Sequence, residues 1–211
     1  SVADNLSIEF DVIDVSDSVG ELDKILESTQ DVYEGIAYEN VQARVRGVTL
    51  MGIANSRDAL VITPDNKSEG GVGYCTLYGD TVGALAPLGD VYKDQVYELA
   101  DLFNSTTGSP IIPSTVIDKQ PSAELREDQS DEDDIPPYET IDSILSGLME
   151  DELTVKELKK EHSDLDVNEV VSRLHLSEFK RYQTPPPLRI SKKSFGKGWK
   201  YPIAAEYDSL G

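Results

Sequence analysis

The sequence predicts an α/β domain built on a parallel sheet, and three observations carry that prediction. Residues 8–15 alternate apolar and polar side chains, the period of a half-buried strand. The run Ala59-Leu60-Val61-Ile62-Thr63 is almost wholly apolar, as a strand buried on both faces must be. Long stretches of helical periodicity lie between and after them, and the order strand, helix, helix, strand is the rhythm of an α/β domain.

Taken in chain order, Ile8, Phe10 and Val12 alternate with Glu9 and Asp11 before the pattern tightens at Val12-Ile13. Ser16 or Ser18 caps a following helix whose inner face would carry Leu22, Ile25 and Leu26. A longer helix is predicted over 38–56, with Val41, Val45, Val48 and Gly52 in one stripe and Leu50, Met51 and Ile53 widening it. After the strand at 59–63, Asp90 caps a helix reaching Asn104, with Val91, Val96, Leu99, Leu102 and Phe103 inward. Residues 105–137 are rich in proline and acid, including Glu127-Asp128 and Asp131-Glu132-Asp133-Asp134. Helices follow over 138–149, 155–161 and 167–182, the last with Val170, Val171, Leu174 and Phe179 inward. The division expected is therefore an α/β core segment (1–104), an acidic loop region (105–137), helices (138–182) and a basic tail (183–211). From Lys180 to Lys200 the chain carries Arg181, Arg189, Lys192, Lys193 and Lys197 as well, without one acid.

Charge narrows the function classes. Nineteen Lys and Arg against 40 Asp and Glu in 211 residues leave a formal net charge of -21. A field of that sign repels nucleic-acid phosphates, so broad nucleic-acid binding is excluded, while a local basic pocket for one nucleotide is not. No apolar run approaches the roughly 20 residues that span a bilayer, and no secretory signal opens the chain. A single cysteine, Cys75, makes no internal disulfide, and two histidines beside it make no zinc site. A cytoplasmic setting is expected, and an opening without Met suggests a piece of a longer protein.

In open α/β sheets ligands sit beyond the carboxyl ends of strands, which points to Pro64 through Gly73. Asn66-Lys67-Ser68-Glu69 offers an amide, a cation, a hydroxyl and a carboxylate there. Glu69 is of the kind that holds Mg²⁺ against phosphates, since that ion takes one or two carboxylates and leaves the rest to water and phosphate. Gly70-Gly71-Val72-Gly73 lacks the spacing of a dinucleotide fingerprint, and taken alone it reads more readily as tight packing or a turn. Asn40 and Arg44 share a helical face that is either a ligand grip or simply solvated. Cys75, with no histidine near it in sequence, reads as a buried structural thiol.

Together these segments resemble the glutamine-dependent NAD synthetases. Glu39-Asn40-Val41-Gln42-Ala43-Arg44-Val45-Arg46-Gly47 is similar to that family's E-N-x-Q-A-R-x-R-G helix. Asn66-Lys67-Ser68-Glu69, the stretch from Gly73 to Asp80, that from Ala86 to Val91, that from Pro121 to Arg126, the acidic loop 131–138 and Glu178-Phe179-Lys180-Arg181 follow in the family's order. The resemblance implies a Rossmann-like fold of the adenine nucleotide alpha hydrolase type. It also implies that ATP adenylates deamido-NAD and that ammonia, supplied from glutamine, displaces AMP to give NAD. By motif position Glu69, Lys93 and Ser122 would meet ATP, with Glu69 also a ligand of Mg²⁺. Asn40, Arg44, Tyr74, Cys75, Thr76, Leu77, Asp80, Lys180 and Arg181 would form the deamido-NAD site. No side chain is needed as a covalent nucleophile, and a homodimer or higher homo-oligomer is implied.

Two departures stand out. Thr63-Pro64-Asp65 replaces the family's Thr-Thr-Gly before Asn66, and proline removes both a hydroxyl and a backbone donor. The family's S-G-G-x-D-S phosphate loop is not found in these 211 residues, nor is a glutaminase. The chain is therefore expected to be the C-terminal portion of a synthetase domain, truncated at its N-terminal side and incompetent alone. Two rivals remain open at this stage: another ATP-pyrophosphatase amidotransferase, and a non-catalytic nucleotide-binding module.

Overall fold

A computed structural model describes residues 2–29, 34–126, 128–196 and 198–204. Glu127 of the acidic cluster, Lys197 of the basic tail and the end of that tail, 205–211, lie outside the described residues. In chain order the helices are α1 (Val2–Leu6), α2 (Ser16–Glu27), α3 (Ile36–Arg57), α4 (Lys67–Val72), α5 (Lys93–Thr107), α6 (Ser114–Ile117), α7 (Tyr138–Met149), α8 (Val155–Leu158), α9 (Asp164–Leu176) and α10 (Glu178–Arg181). A 3-10 turn, Asp131–Asp133, lies in the acidic loop.

The longer helices fall near where the periodicity places them, but 155–161 is helical only to Leu158, 167–182 breaks at Ser177 into α9 and α10, and α1, α4 and α6 were not expected. The expected parallel sheet does not form among the described residues. Residues 8–15 form no strand, and Phe10 and Val12 are 75% and 85% exposed. The 59–63 run makes one isolated parallel bridge, Ile62 to Leu85, through Thr63 N to Leu85 O (3.0 Å) and Ala84 N to Val61 O (2.8 Å). The physical reason is that a strand is completed by a neighbour's hydrogen-bonding edge, and none pairs with 8–15 among the described residues. Leu60 of the same run is largely exposed.

Helix faces needed correction too. In α2 Val19 is buried, while Leu22 and Ile25 face solvent. Its first residue, Ser16, is held by Asp14, whose Oδ1 accepts from the Ser16 amide (2.8 Å) and hydroxyl (2.6 Å). In α3 the buried residues are Ala43, Val45, Gly47 and Ala54, whereas Val48 is 72% exposed and Gly52 is exposed. The small face wins because the 74–80 loop lies directly on it. A Cβ on Gly47 would stand 2.7 Å from Tyr78 O, and one on Gly79 would stand 2.8 Å from Ala43 Cβ. In α5 Leu99, Leu102 and Phe103 are exposed, and in α10 so is Phe179.

The core sits among the later helices. Ile141, Ile144, Leu145 and Met149 of α7 are wholly buried, and Val167, Val170, Val171 and Leu174 of α9 pack with them. Burying each such side chain contributes about 1.5–3 kcal/mol. The helix α4 lies against both, at the centre of this cluster.

Glu69 and Asn66 close a capping box at the start of α4: Glu69 N donates to Asn66 Oδ1 (3.0 Å) and Asn66 N to Glu69 Oε2 (3.1 Å). Lys67 points inward and is fully buried, with its ammonium 3.1 Å from Asp90 and 3.1 Å from Glu150. It also donates to the Ser191 hydroxyl at 2.9 Å and stands 4.6 Å over the Tyr92 ring. Asp90, read from the sequence as a helix cap, instead accepts from the backbone of Ile190 and Ser191 in the tail. The helix it was expected to cap begins at Lys93.

Gly73 ends α4 in the left-handed conformation, with φ 67°. A Cβ there would collide with the Ser177 side chain at the start of α10. Gly73→Ala should therefore lower stability by about 2–4 kcal/mol, from backbone strain plus steric overlap. Thermal unfolding followed by circular dichroism checks this, and an unchanged midpoint would contradict the close packing of α4 on α10.

Candidate functional site

One face of α3, the 74–80 loop and Lys180 converge. Asn40 Oδ1 accepts the Thr76 hydroxyl at 2.7 Å, and one turn later Arg44 Nε donates to Leu77 O at 3.2 Å. Both partners of the shared helical face thus meet the same loop. Asp80 shapes that loop from within, its Oδ1 accepting the Thr76 amide at 2.6 Å. Lys180 Nζ donates to Gly73 O (2.7 Å) and Cys75 O (2.8 Å), tying α10 to the loop's first half.

Arg181 and Tyr74 are placed differently from their neighbours in sequence. Arg181 is buried; it donates to Gly70 O (3.1 Å) and Gly71 O (2.9 Å), pairs with Glu178 (2.9 Å) and stacks on Phe195. Its guanidinium braces the glycine stretch of α4. Tyr74 reaches the acidic loop, its hydroxyl 3.4 Å from Asp134, and Arg126 bridges Asp134 (2.9 Å) and Glu39 (3.3 Å).

A second constellation surrounds Glu69. Its Oε1 meets Lys93 Nζ at 2.9 Å, and Lys93 lies 4.8 Å over the Tyr138 ring. Burial opposes charge on Lys93, but the Glu69 carboxylate outweighs it and raises its pKa. The Tyr138 hydroxyl donates to Asp131 at 2.8 Å, and Asp131 N donates to Pro121 O at 3.0 Å. Ser122, the next residue, accepts from Glu124 N at 3.1 Å, so it joins the Glu69–Lys93 pair only through this relay. Ser68 and Asp142 fasten the start of α5: Lys93 N donates to Ser68 Oγ (2.8 Å) and Asp94 N to Asp142 (3.0 Å). The Ser68 hydroxyl in turn donates to Asp142.

Between α4 and the tail opens a cavity of about 450 Å³, lined by Asp65, Asn66, Gly70 and Cys75 on one side. Arg181, the prolines 185–187, Arg189 and Lys200 line the other. Burial pushes the Cys75 thiol up to about 12, with the Asp80 charge adding to it, so it is no thiolate at neutral pH. Burial, with Asp80 and Glu69 nearby, likewise pushes the Asp65 carboxyl up to about 7. Asp65 Oδ2 is buried without a hydrogen-bond partner.

A family model described as NAD synthase matches residues 1–184. The chain belongs to the NAD synthase family. Among its relatives, the glutamine-dependent NAD(+) synthetase of Synechocystis sp. is 40% identical, over 100% of this chain and 38% of its own length. A solved glutamine-dependent NAD+ synthetase from Acinetobacter baumannii, in complex with ADP, is 33% identical with a TM-score of 0.55, over 99% of this chain and 37% of that one. The synthetase of Cytophaga hutchinsonii, 20% identical, shares the fold with a TM-score of 0.79 over 97% of this chain and 35% of that one. The chain spans about a third of the length of the curated relatives it matches.

Sequence reasoning passed over Lys67, Asp90, Asp131, Tyr138 and Asp142 as site-building residues. Lys67 stood inside a quoted motif, and its place between two polar cap residues was the available signal. Asp90 stood inside the 86–91 stretch and was read as a helix cap, and nothing local pointed to its partners a hundred positions away. Among the described residues no group of three or more His, Cys, Asp or Glu could hold a metal ion, and no helix is long and apolar enough to cross a membrane.

The pKa of Asp65 sets a pH test. Its folded value, about 7, lies above its ordinary 3.8, so the fold favours the protonated acid. That contribution is complete below the unfolded value and is lost as pH rises through the folded one. Asp65→Asn should raise stability at pH 8 by about 2 kcal/mol, allowing for partial solvent exposure, and change little at pH 4. Denaturant unfolding at the two pH values checks this; equal effects at both would remove the buried charge as the cause.

Proposed function

We propose that this chain contributes to a site that converts deamido-NAD to NAD. ATP adenylates the carboxylate, pyrophosphate leaves, and ammonia released from glutamine attacks the acyl adenylate to expel AMP. The observation that carries the reading is the convergence of Asn40, Arg44, Asp80 and Lys180 on residues 73–77, in a chain of the NAD synthase family. On this reading the 74–77 loop, with those four residues and Arg181, receives the dinucleotide, and Glu69, Lys93 and Ser122 attend ATP.

The chemistry asks for charge control rather than a nucleophile. A carboxylate is a poor electrophile until adenylated, and the step is helped by cations placed where phosphate charge develops. Lys93 supplies one such cation, and the raised pKa keeps it charged. Cys75, held as a neutral thiol, takes no part as a nucleophile.

Magnesium fits this site as a one-carboxylate ion. Glu69 would hold it, phosphate oxygens and water would complete its shell, and the ion would neutralise charge on the leaving pyrophosphate. The parallel sheet of a Rossmann-like domain, the four-part division of the chain, a cytoplasmic setting and a homo-oligomeric assembly belong to the same proposal. So does the expectation that these 211 residues do not turn over by themselves, since the S-G-G-x-D-S loop is not among them.

Calorimetric titration of this chain with deamido-NAD tests the reading. Asn40→Ala and Arg44→Ala should each weaken binding about tenfold, the loss of a hydrogen bond to a polar or charged group. Wild-type affinity in both variants would remove the α3 face from the dinucleotide site.

A further inference from the structure

Asp90 is 1% exposed, and its bonds among the described residues go to Ile190, Ser191 and Lys67, not to the residues proposed to meet substrate. Its carboxylate is committed to the C-terminal tail. Oδ2 accepts the amides of Ile190 (2.8 Å) and Ser191 (2.7 Å), and Oδ1 accepts the Ser191 hydroxyl (2.8 Å). Lys67 closes the knot from α4, bonded to Asp90 Oδ1 and to the same hydroxyl. Charge-assisted bonds of this kind are roughly twice as strong as neutral ones, and here they converge on two consecutive residues. Burial works against the Asp90 charge, but the bonds from Ser191, Ile190 and Lys67 hold its carboxyl below the usual range.

The pinned residues matter for what stands beside them. Arg189 lines the cavity, and its guanidinium is aimed by tail carbonyls: Nε donates to Ser191 O (3.3 Å) and Nη2 to Lys192 O (2.6 Å). Both acceptors are neutral, and among the described residues no carboxylate forms an ion pair with Arg189. Its direction follows the backbone that Asp90 fixes.

We propose that Asp90 is a positioning residue: by pinning Ile190 and Ser191 it holds the carbonyls that aim Arg189 into the cavity, and so sets the cavity's affinity for a phosphate-bearing nucleotide. The inference rests on the nucleotide-using function proposed above and adds to it a residue that touches no ligand.

The test uses the whole chain and the variants Asp90→Asn and Arg189→Gln. ATP and deamido-NAD are titrated separately by calorimetry, and amide hydrogen exchange is read over residues 187–196. Asp90→Asn should speed exchange at Ile190 and Ser191 about tenfold and weaken binding of at least one nucleotide about tenfold. The far-UV circular dichroism spectrum should stay unchanged, because the main core is built from the helices α7 and α9. Arg189→Gln should lose the same affinity with wild-type exchange in the tail. The nucleotide whose affinity falls is the one that meets Arg189.

Wild-type exchange in Asp90→Asn overturns the positioning role, whatever the nucleotides do. Fast exchange with wild-type affinity overturns the link between tail and cavity. Failure of both nucleotides to bind the wild-type chain overturns the functional reading, and the cavity's ligand with it. Should Asp90→Asn fail to fold, Ser191→Ala removes only the hydroxyl shared by Asp90 and Lys67. It should shift exchange and affinity in the same directions, and wild-type values for both would overturn the proposal.

Discussion

A buried ammonium organises this molecule. Lys67 has no exposed surface, and an uncompensated charge there would cost several kcal/mol. Its three polar partners come from the loop before α5, the end of α7 and the tail, so satisfying one charge draws three distant segments onto α4. The helix has only six residues and would be marginal alone. Its capping box fixes one end, Gly73 turns the other, and Lys67 faces the interior between them. Hydrophobic packing of α7 and α9 supplies the bulk of the burial, while the ammonium specifies which segments assemble around it.

The loop that α4 releases inherits this order. Its residues 73–80 are gripped by α10 through Lys180, by α3 through Asn40 and Arg44, and by themselves through Asp80. Close approach to α3 is possible only because Ala43, Gly47 and Gly79 are small. The exposed large side chains of α3 are the other side of that choice: a helix with apolar residues around much of its circumference turned its smallest face to the loop.

What the sequence made legible follows from range. Helices α3, α5, α7 and α9 announced themselves by local periodicity, whereas α4 and its Asn66–Glu69 capping box, read from the sequence only as polar groups facing a ligand, did not. The shared face of Asn40 and Arg44 was equally local, and the structure brings both to one loop. Strands were not recoverable in the same way, because the alternation at 8–15 and the apolar run at 59–63 describe one edge of a ladder whose completion depends on other segments. Faces failed where the partner decides: Val48, Leu99 and Phe103 are apolar, yet nothing in their own helices says what covers them. Asp90 and Ser191 meet across a hundred residues and leave no local trace.

The net charge of -21 conceals how the cations are deployed. Lys67, Lys93 and Arg126 face carboxylates, and their charges are largely neutralised. Lys180, Arg44 and Arg189 donate instead to backbone carbonyls, which orient a cation without cancelling it. On the proposed function this division has a consequence. The carbonyl-bound cations offer standing positive potential to an anionic dinucleotide, in a molecule whose surface otherwise repels it. The Glu69–Lys93 pair is a different device. Its carboxylate and ammonium, 2.9 Å apart, satisfy one another without ligand, and each has a stronger partner in a phosphate with its metal ion. If Glu69 and Lys93 attend ATP as proposed, exchanging one ion pair for two keeps both charges compensated throughout, and the half-buried site leaves no bare charge in its wall before the nucleotide arrives.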